Sequence, residues 1–77
     1  MKSLILYGTK GCHLCDKAEA ILKPFCGPRL TVQYRDIADD ESLVDQLGEK
    51  IPVLESEDGR RLFWPFSPLD INRFLAT

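Results

Sequence analysis

From the amino terminus the chain runs apolar through Leu4-Ile5-Leu6-Tyr7 and stops at Gly8. A short unbroken apolar run of this kind suits a strand buried on both faces. After a Thr9-Lys10-Gly11 loop the period changes. Leu14, Ala18, Ile21, Leu22 and Phe25 recur at offsets of four, seven, eight and eleven residues, which is one apolar stripe of a helix. Pro24 ends or kinks that helix, and Gly27-Pro28 closes the segment. Alternation then returns: Leu30, Val32 and Tyr34 against Thr31, Gln33 and Arg35 predict a second strand.

Asp39 is the expected cap of a second helix, with Asp40 and Glu41 well placed in its first turn. Leu43, Val44 and Leu47 form its apolar face, and Gly48 is its expected stop. Ile51-Pro52-Val53-Leu54 reads as a third strand, Asp58-Gly59 as a turn, and Arg60 to Trp64 as an antiparallel fourth strand. Ser67-Pro68-Leu69-Asp70 opens a last helix: Ser67 as N-cap, Pro68 at the first helical position, Asp70 three residues on. Ile71, Phe74 and Leu75 give its buried side. The predicted order is β-α-β-α-β-β-α, an α/β fold in which helices join parallel strands before a hairpin and a covering helix. No repeat, linker or low-complexity tract interrupts residues 1–77, which read as a single domain.

Composition narrows the function classes. The 77 residues are 44% hydrophobic and 29% charged with a net charge of −2, which excludes a disordered chain and leaves room for one core. The mild acidity argues against a general nucleic-acid binder. No stretch approaches the roughly 20 apolar residues of a membrane span. The opening apolar run is shorter than the roughly 7–15 residues of a signal-peptide core. Three cysteines are too few for a secreted framework of several bridges. The expectation is a cytoplasmic monomer with neither nucleic-acid nor membrane partner, in a compartment where paired cysteines are mostly catalytic or metal-binding.

The sharpest feature is Cys12-His13-Leu14-Cys15, between the first strand and the first helix. Residues three apart on a helix share a face, so the two sulfurs reach bonding distance without rearranging the backbone. Cys12 falls at the helix N-terminus, where unpaired N–H groups and the dipole favour a thiolate. Cys15 falls one turn in, near the apolar stripe. That asymmetry makes Cys12 the attacking sulfur and Cys15 the resolving one. Lowering the Cys12 pKa from about 8.5 to about 6 would raise its thiolate fraction roughly thirtyfold at neutral pH. Its intrinsic nucleophilicity falls by about tenfold, so attack gains only a few-fold. The larger benefit comes when Cys15 attacks, because low-pKa Cys12 is then the better leaving group.

Charge supports this assignment. The first thirty residues carry five Lys/Arg against two Asp/Glu, and the remainder carries five against ten. Lys10 and His13 lie beside the thiolate, either tuning it or simply occupying a solvated loop and an exposed helix start. Cys26, eleven residues past Cys15, is expected to be an inert packing cysteine. Trp64 and Phe66 are expected to pack the last strand and helix. A rival reading makes Cys12 and Cys15 part of a metal or iron–sulfur binding module, although zinc wants four ligands and the chain has three cysteines and one histidine. A third keeps the fold as a redox-inactive interaction domain.

Strand-Gly-Thr-Lys-Gly-Cys12-His13-Leu14-Cys15-helix, followed by Ile51-Pro52-Val53-Leu54, resembles the thioredoxin superfamily, and more narrowly the compact glutaredoxin-like proteins. The resemblance runs over essentially the whole chain. It implies a thioredoxin-like, minimal glutaredoxin fold: a four-stranded mixed sheet flanked by helices. It implies a thiol-disulfide oxidoreductase with Cys12 and Cys15 catalytic and no metal. It also implies a cis Ile51–Pro52 bond facing the dithiol, with the Ile51 backbone pairing with an extended substrate segment. Lys10, Gly11, His13, Leu14, Ile51 and Pro52 are the substrate-contacting set expected on this basis.

No tightly bound cofactor is implied. The expected partners are a disulfide-containing protein or small-molecule disulfide, with glutathione or a thioredoxin-reductase-type donor as reductant. The chain departs from the glutaredoxin pattern at three places. Trp64-Pro65-Phe66-Ser67, with Asp70 further on, stands where the family usually has a Gly-Gly turn and an acidic residue. Thr9 replaces the usual basic residue, with Lys10 shifted one place along. His13-Leu14 replaces the common Pro-Tyr. The first departure alters features by which the family helps hold glutathione, so glutathione enters as one candidate co-substrate among several.

Overall fold

The computed structural model describes residues 2–76. Strand β1 (Lys2–Gly8) leads into helix α1 (His13–Leu22), then β2 (Leu30–Asp36), α2 (Glu41–Leu47), β3 (Val53–Ser56), β4 (Arg61–Phe63) and α3 (Pro68–Ala76). The sheet runs in the order β2-β1-β3-β4, with β1 parallel to β2, β1 antiparallel to β3, and β3 antiparallel to β4. This is the mixed four-stranded sheet that the element order predicts.

Side-chain alternation sends neighbouring residues to opposite faces. Leu4, Leu6 and Leu54 meet Ala18, Leu22, Leu30, Phe66 and Ile71 in one core, which lies beneath α1 and α3. Tyr7 and Val53 turn the other way and meet Ile37 and Leu47 under α2. Leu6, Leu54, Leu47 and Ile71 are at most 1% exposed. Each contributes about 1.5–3 kcal/mol by leaving water.

Local chemistry sets the helix ends. Ser67 and Asp70 form a reciprocal capping box: the Ser67 N–H donates to Asp70 Oδ2 at 2.9 Å, and the Asp70 N–H to Ser67 Oγ at 3.3 Å. In the second helix the cap is Asp40, not Asp39. Asp40 accepts from the Ser42 and Leu43 N–H groups, while Asp39 belongs to a 3-10 turn over Ile37–Asp39. That turn moves the helix start on by one residue. Pro24 acts as expected: the α-helix stops at Leu22, and a 3-10 turn over Lys23–Phe25 follows.

Five further expectations are corrected. The third strand begins at Val53 rather than Ile51, and the fourth covers Arg61–Phe63 rather than Arg60 to Trp64. Leu14 is 41% exposed and lies off the buried stripe, which is Cys15, Ala18 and Leu22. Cys26 is exposed, because the 3-10 turn carries it off the helix face, and its thiol donates to the Leu22 carbonyl at 3.5 Å. Val44, read as part of the buried face of α2, is 43% exposed. The Ile51–Pro52 peptide is cis, and so is Trp64–Pro65, which no sequence pattern singled out.

Candidate active site

The site is assembled where three strands run out together. In register, Gly8 stands beside Asp36 of β2, and Tyr7 beside Val53 of β3. One step further along β3, Pro52 comes level with Gly8. From Gly8 the chain turns through Lys10 and Gly11, whose φ of 77° is a left-handed value that glycine adopts without steric cost. Cys12 follows as the N-cap of α1, with φ −82° and ψ 108°.

As N-cap residue, Cys12 directs its Sγ back over the first turn, where the Cys15 N–H donates to it at 3.2 Å. A hydrogen bond from an unpaired helix N–H, added to the helix dipole, favours the thiolate over the thiol. Cys12 and Cys15 are joined by a disulfide, with their Cα atoms 5.2 Å apart. Cys12 is half-buried, whereas Cys15 is 2% exposed. The two sulfurs therefore differ in access as the spacing predicts.

Gly8 is what lets Cys15 sit so deep. A Cβ at this position would stand 2.8 Å from Cys15 Sγ, closer than side chains pack, and a tight 3.2 Å from its Cβ. The end of β1 is bare so that the inner sulfur can rest on it. Asp36, across the strand pair from Gly8, fixes the approach. Its carboxylate accepts from the Ala38 N–H at 2.9 Å and bonds the Thr9 side chain and the Lys10 backbone. The Ala38 bond chiefly, then the Thr9 bond, the Lys10 charge and the Lys10 backbone, hold its carboxyl below the usual range. One carboxylate thus ties the cysteine loop to the sheet.

Beside the dithiol lies a groove of about 400 Å³ lined by Leu14, Glu49, Lys50, Ile51, Phe63 and Trp64. Leu14 and Phe63 are 41% and 44% exposed, so the groove presents an apolar surface to solvent. Lys50 holds its ammonium 5.7 Å from the centre of the Phe63 ring. Trp64 packs edge-on against Phe66, with centroids 5.0 Å apart. Trp64 therefore serves both the core and the groove, while Phe66, at 4% exposure, serves the core alone.

Of the residues singled out in the sequence, Leu14 and Ile51 share this groove, and Pro52, just before β3, is buried. Lys10, Gly11 and His13 are exposed on the loop and helix start and do not line it. Phe63, Lys50 and Glu49 were not foreseen. An aromatic on a three-residue edge strand carries a signal, but only once that strand is known to border the dithiol. Among the described residues, no three His, Cys, Asp or Glu side chains gather as a metal cluster, and no helix is long and apolar enough to cross a membrane.

Comparison with known proteins agrees with this architecture. No curated protein matches the chain. The crystal structure of protein XcR50 from X. campestris superimposes with a TM-score of 0.85 at 35% identity, covering 95% of both chains. The solution structure of XcR50 gives 0.82 at 35% identity over 99% of this chain and 94% of that one. Protein Ne2328 from Nitrosomonas europaea shares the fold, with a TM-score of 0.78 at 23% identity over 95% of this chain and 89% of that one. Residues 3–76 match the family described as Glutaredoxin-like domain (DUF836), and the chain belongs to that family.

Proposed function

We propose that the protein is a thiol-disulfide oxidoreductase working through the Cys12–Cys15 dithiol. The observation that carries this reading is the unequal placement of two sulfurs close enough to bond: Cys12 half-buried at a helix N-cap, Cys15 buried on Gly8. In the reduced protein the Cys12 thiolate attacks one sulfur of a partner disulfide, and the other partner sulfur leaves with the electron pair and takes up a proton. Cys15 then loses its proton and bonds to Cys12 Sγ. The second partner thiol departs, and the dithiol has passed two electrons to the partner.

Ile51, ahead of Pro52 and lining the groove, is the residue on which an extended partner segment would pair. The partner is a disulfide-containing protein or small-molecule disulfide, in a reducing compartment such as the cytoplasm. A thiol such as glutathione, or a thioredoxin-reductase-type donor, would restore the dithiol. The test is a pair of variants assayed for exchange with a model disulfide. Cys12→Ser abolishes exchange, and Cys15→Ser accumulates a mixed disulfide on Cys12. Full activity of Cys12→Ser would overturn the reading.

A further inference from the structure

The resolving step asks something difficult of Cys15. In the mixed disulfide it is a free thiol 2% exposed to solvent, and burial favours the neutral thiol over the thiolate that must attack. A polar neighbour is needed, and the structure supplies one. The point a Gly8 Cβ would occupy lies 2.8 Å from Cys15 Sγ and 3.0 Å from the Tyr34 hydroxyl. Sulfur and hydroxyl therefore crowd the same spot above the end of β1. Tyr34 pairs with Leu6 in the β1–β2 register, and its ring lies along the wall of the groove between α1 and β2. The residue is 40% exposed, whereas Cys15 is 2% exposed.

We infer that Tyr34 is a positioning residue for the resolving sulfur, donating a hydrogen bond to Cys15 as it becomes a thiolate and passing its proton toward solvent. This inference rests on the dithiol reading above. When Cys15 attacks Cys12 Sγ, its proton moves outward, the bond from Cys12 to the partner sulfur breaks, and the departing thiolate is protonated from water. Donation from Tyr34 favours the charged sulfur at the moment of attack. The groups facing the hydroxyl are Asp16 and Glu19 from α1 and Asp36 from β2, while β1 offers only Gly8 at that point. Burial first, then these three carboxylates, push the phenol above its usual value, so the hydroxyl keeps its proton as a donor throughout the neutral range.

The test uses a Cys26→Ser background, which removes the exposed third thiol, and the aromatic disulfide dithiobis-nitrobenzoate as probe. Attack by Cys12 releases one thionitrobenzoate, and resolution by Cys15 releases a second. Tyr34→Phe keeps the ring and removes the hydroxyl. The first release stays unchanged. The second slows by about threefold to fourfold at neutral pH, the net of a one-unit rise in Cys15 pKa and the accompanying gain in nucleophilicity. Its pH midpoint moves up by about one unit, and at alkaline pH, where both sulfurs are ionised, the variant overtakes the parent by about threefold. An unchanged second phase, or one slowed equally at every pH, would overturn the role of Tyr34. If the parent releases no second thionitrobenzoate, the dithiol reading itself fails and takes this inference with it.

Discussion

The two ends of the sheet solve the problem of exposed side chains in opposite ways. At the end away from the dithiol, the polar groups satisfy one another. Arg60 pairs with Asp58 at 2.8 Å and lies 5.0 Å from the centre of the Phe74 ring. The Ser3 N–H donates to Glu57 at 2.7 Å, and the Lys2 ammonium caps the Leu75 carbonyl near the end of α3. At the dithiol end, Leu14 and Phe63 are left open to solvent along a groove, and Cys12 is only half-buried. One end closes the fold; the other leaves apolar surface and a sulfur for something else to cover. Exposed apolar surface that the core does not need is a mark of a binding site.

The largest expected effect comes from closing the gap under Cys15. Gly8→Val places a side chain where Cys15 Sγ sits, and should lower stability by about 2–3 kcal/mol in urea denaturation while displacing the inner sulfur. Stability unchanged from the parent would mean that the bare strand end has no packing role. Groove and fold separate in the next variant. Phe63→Ala should lower stability by only about 1 kcal/mol, because the ring is 44% exposed and gives up part of its burial and its contact with Lys50. It should nevertheless reduce kcat/KM for a disulfide flanked by apolar residues by about tenfold, equivalent to about 1.4 kcal/mol of lost contact. Equal losses on a small polar disulfide would remove the groove from substrate binding.

The closed end should behave in the reverse way. Arg60→Ala costs about 1 kcal/mol of stability, combining a surface ion pair with a cation–π contact. Exchange rates measured on this variant should match the parent. The smallest effect is the response to acid. Asp36, Asp58 and Asp70 all have carboxyl pKa values held down by hydrogen bonds, Asp58 to about 2. Groups lowered on folding stabilise the native state above their unfolded pKa of roughly 3.9, and that stabilisation is lost as pH falls through the folded value. Thermal stability should therefore drop between about pH 4 and pH 2, and Asp58→Asn should flatten only the part belonging to the closed end.

The sequence carried the strand and helix order and the unequal placement of the two cysteines, because periodicity and a helix start are local properties. What it hid depends on where elements end relative to one another. Leu14 keeps the helical period, yet it is 41% exposed, off the stripe by which Cys15, Ala18 and Leu22 are buried. Cys26 fits an inward reading until the Pro24 turn swings it off the helix face. Asp39 and Asp40 are equally good caps in sequence, and a 3-10 turn decides between them. Tyr34 alternates as a core residue should, but it lies on an edge strand, and its hydroxyl and Cys15 Sγ share the space over Gly8 only because that residue has no side chain.

The most direct test of the central claim is mass analysis of Cys15→Ser, in a Cys26→Ser background, after exposure to a model disulfide. A single stable adduct should form on Cys12, removed by an added thiol and absent from the corresponding Cys12→Ser protein. An adduct that forms equally well on Cys15 in the Cys12→Ser protein, with exchange still turning over, would contradict that claim.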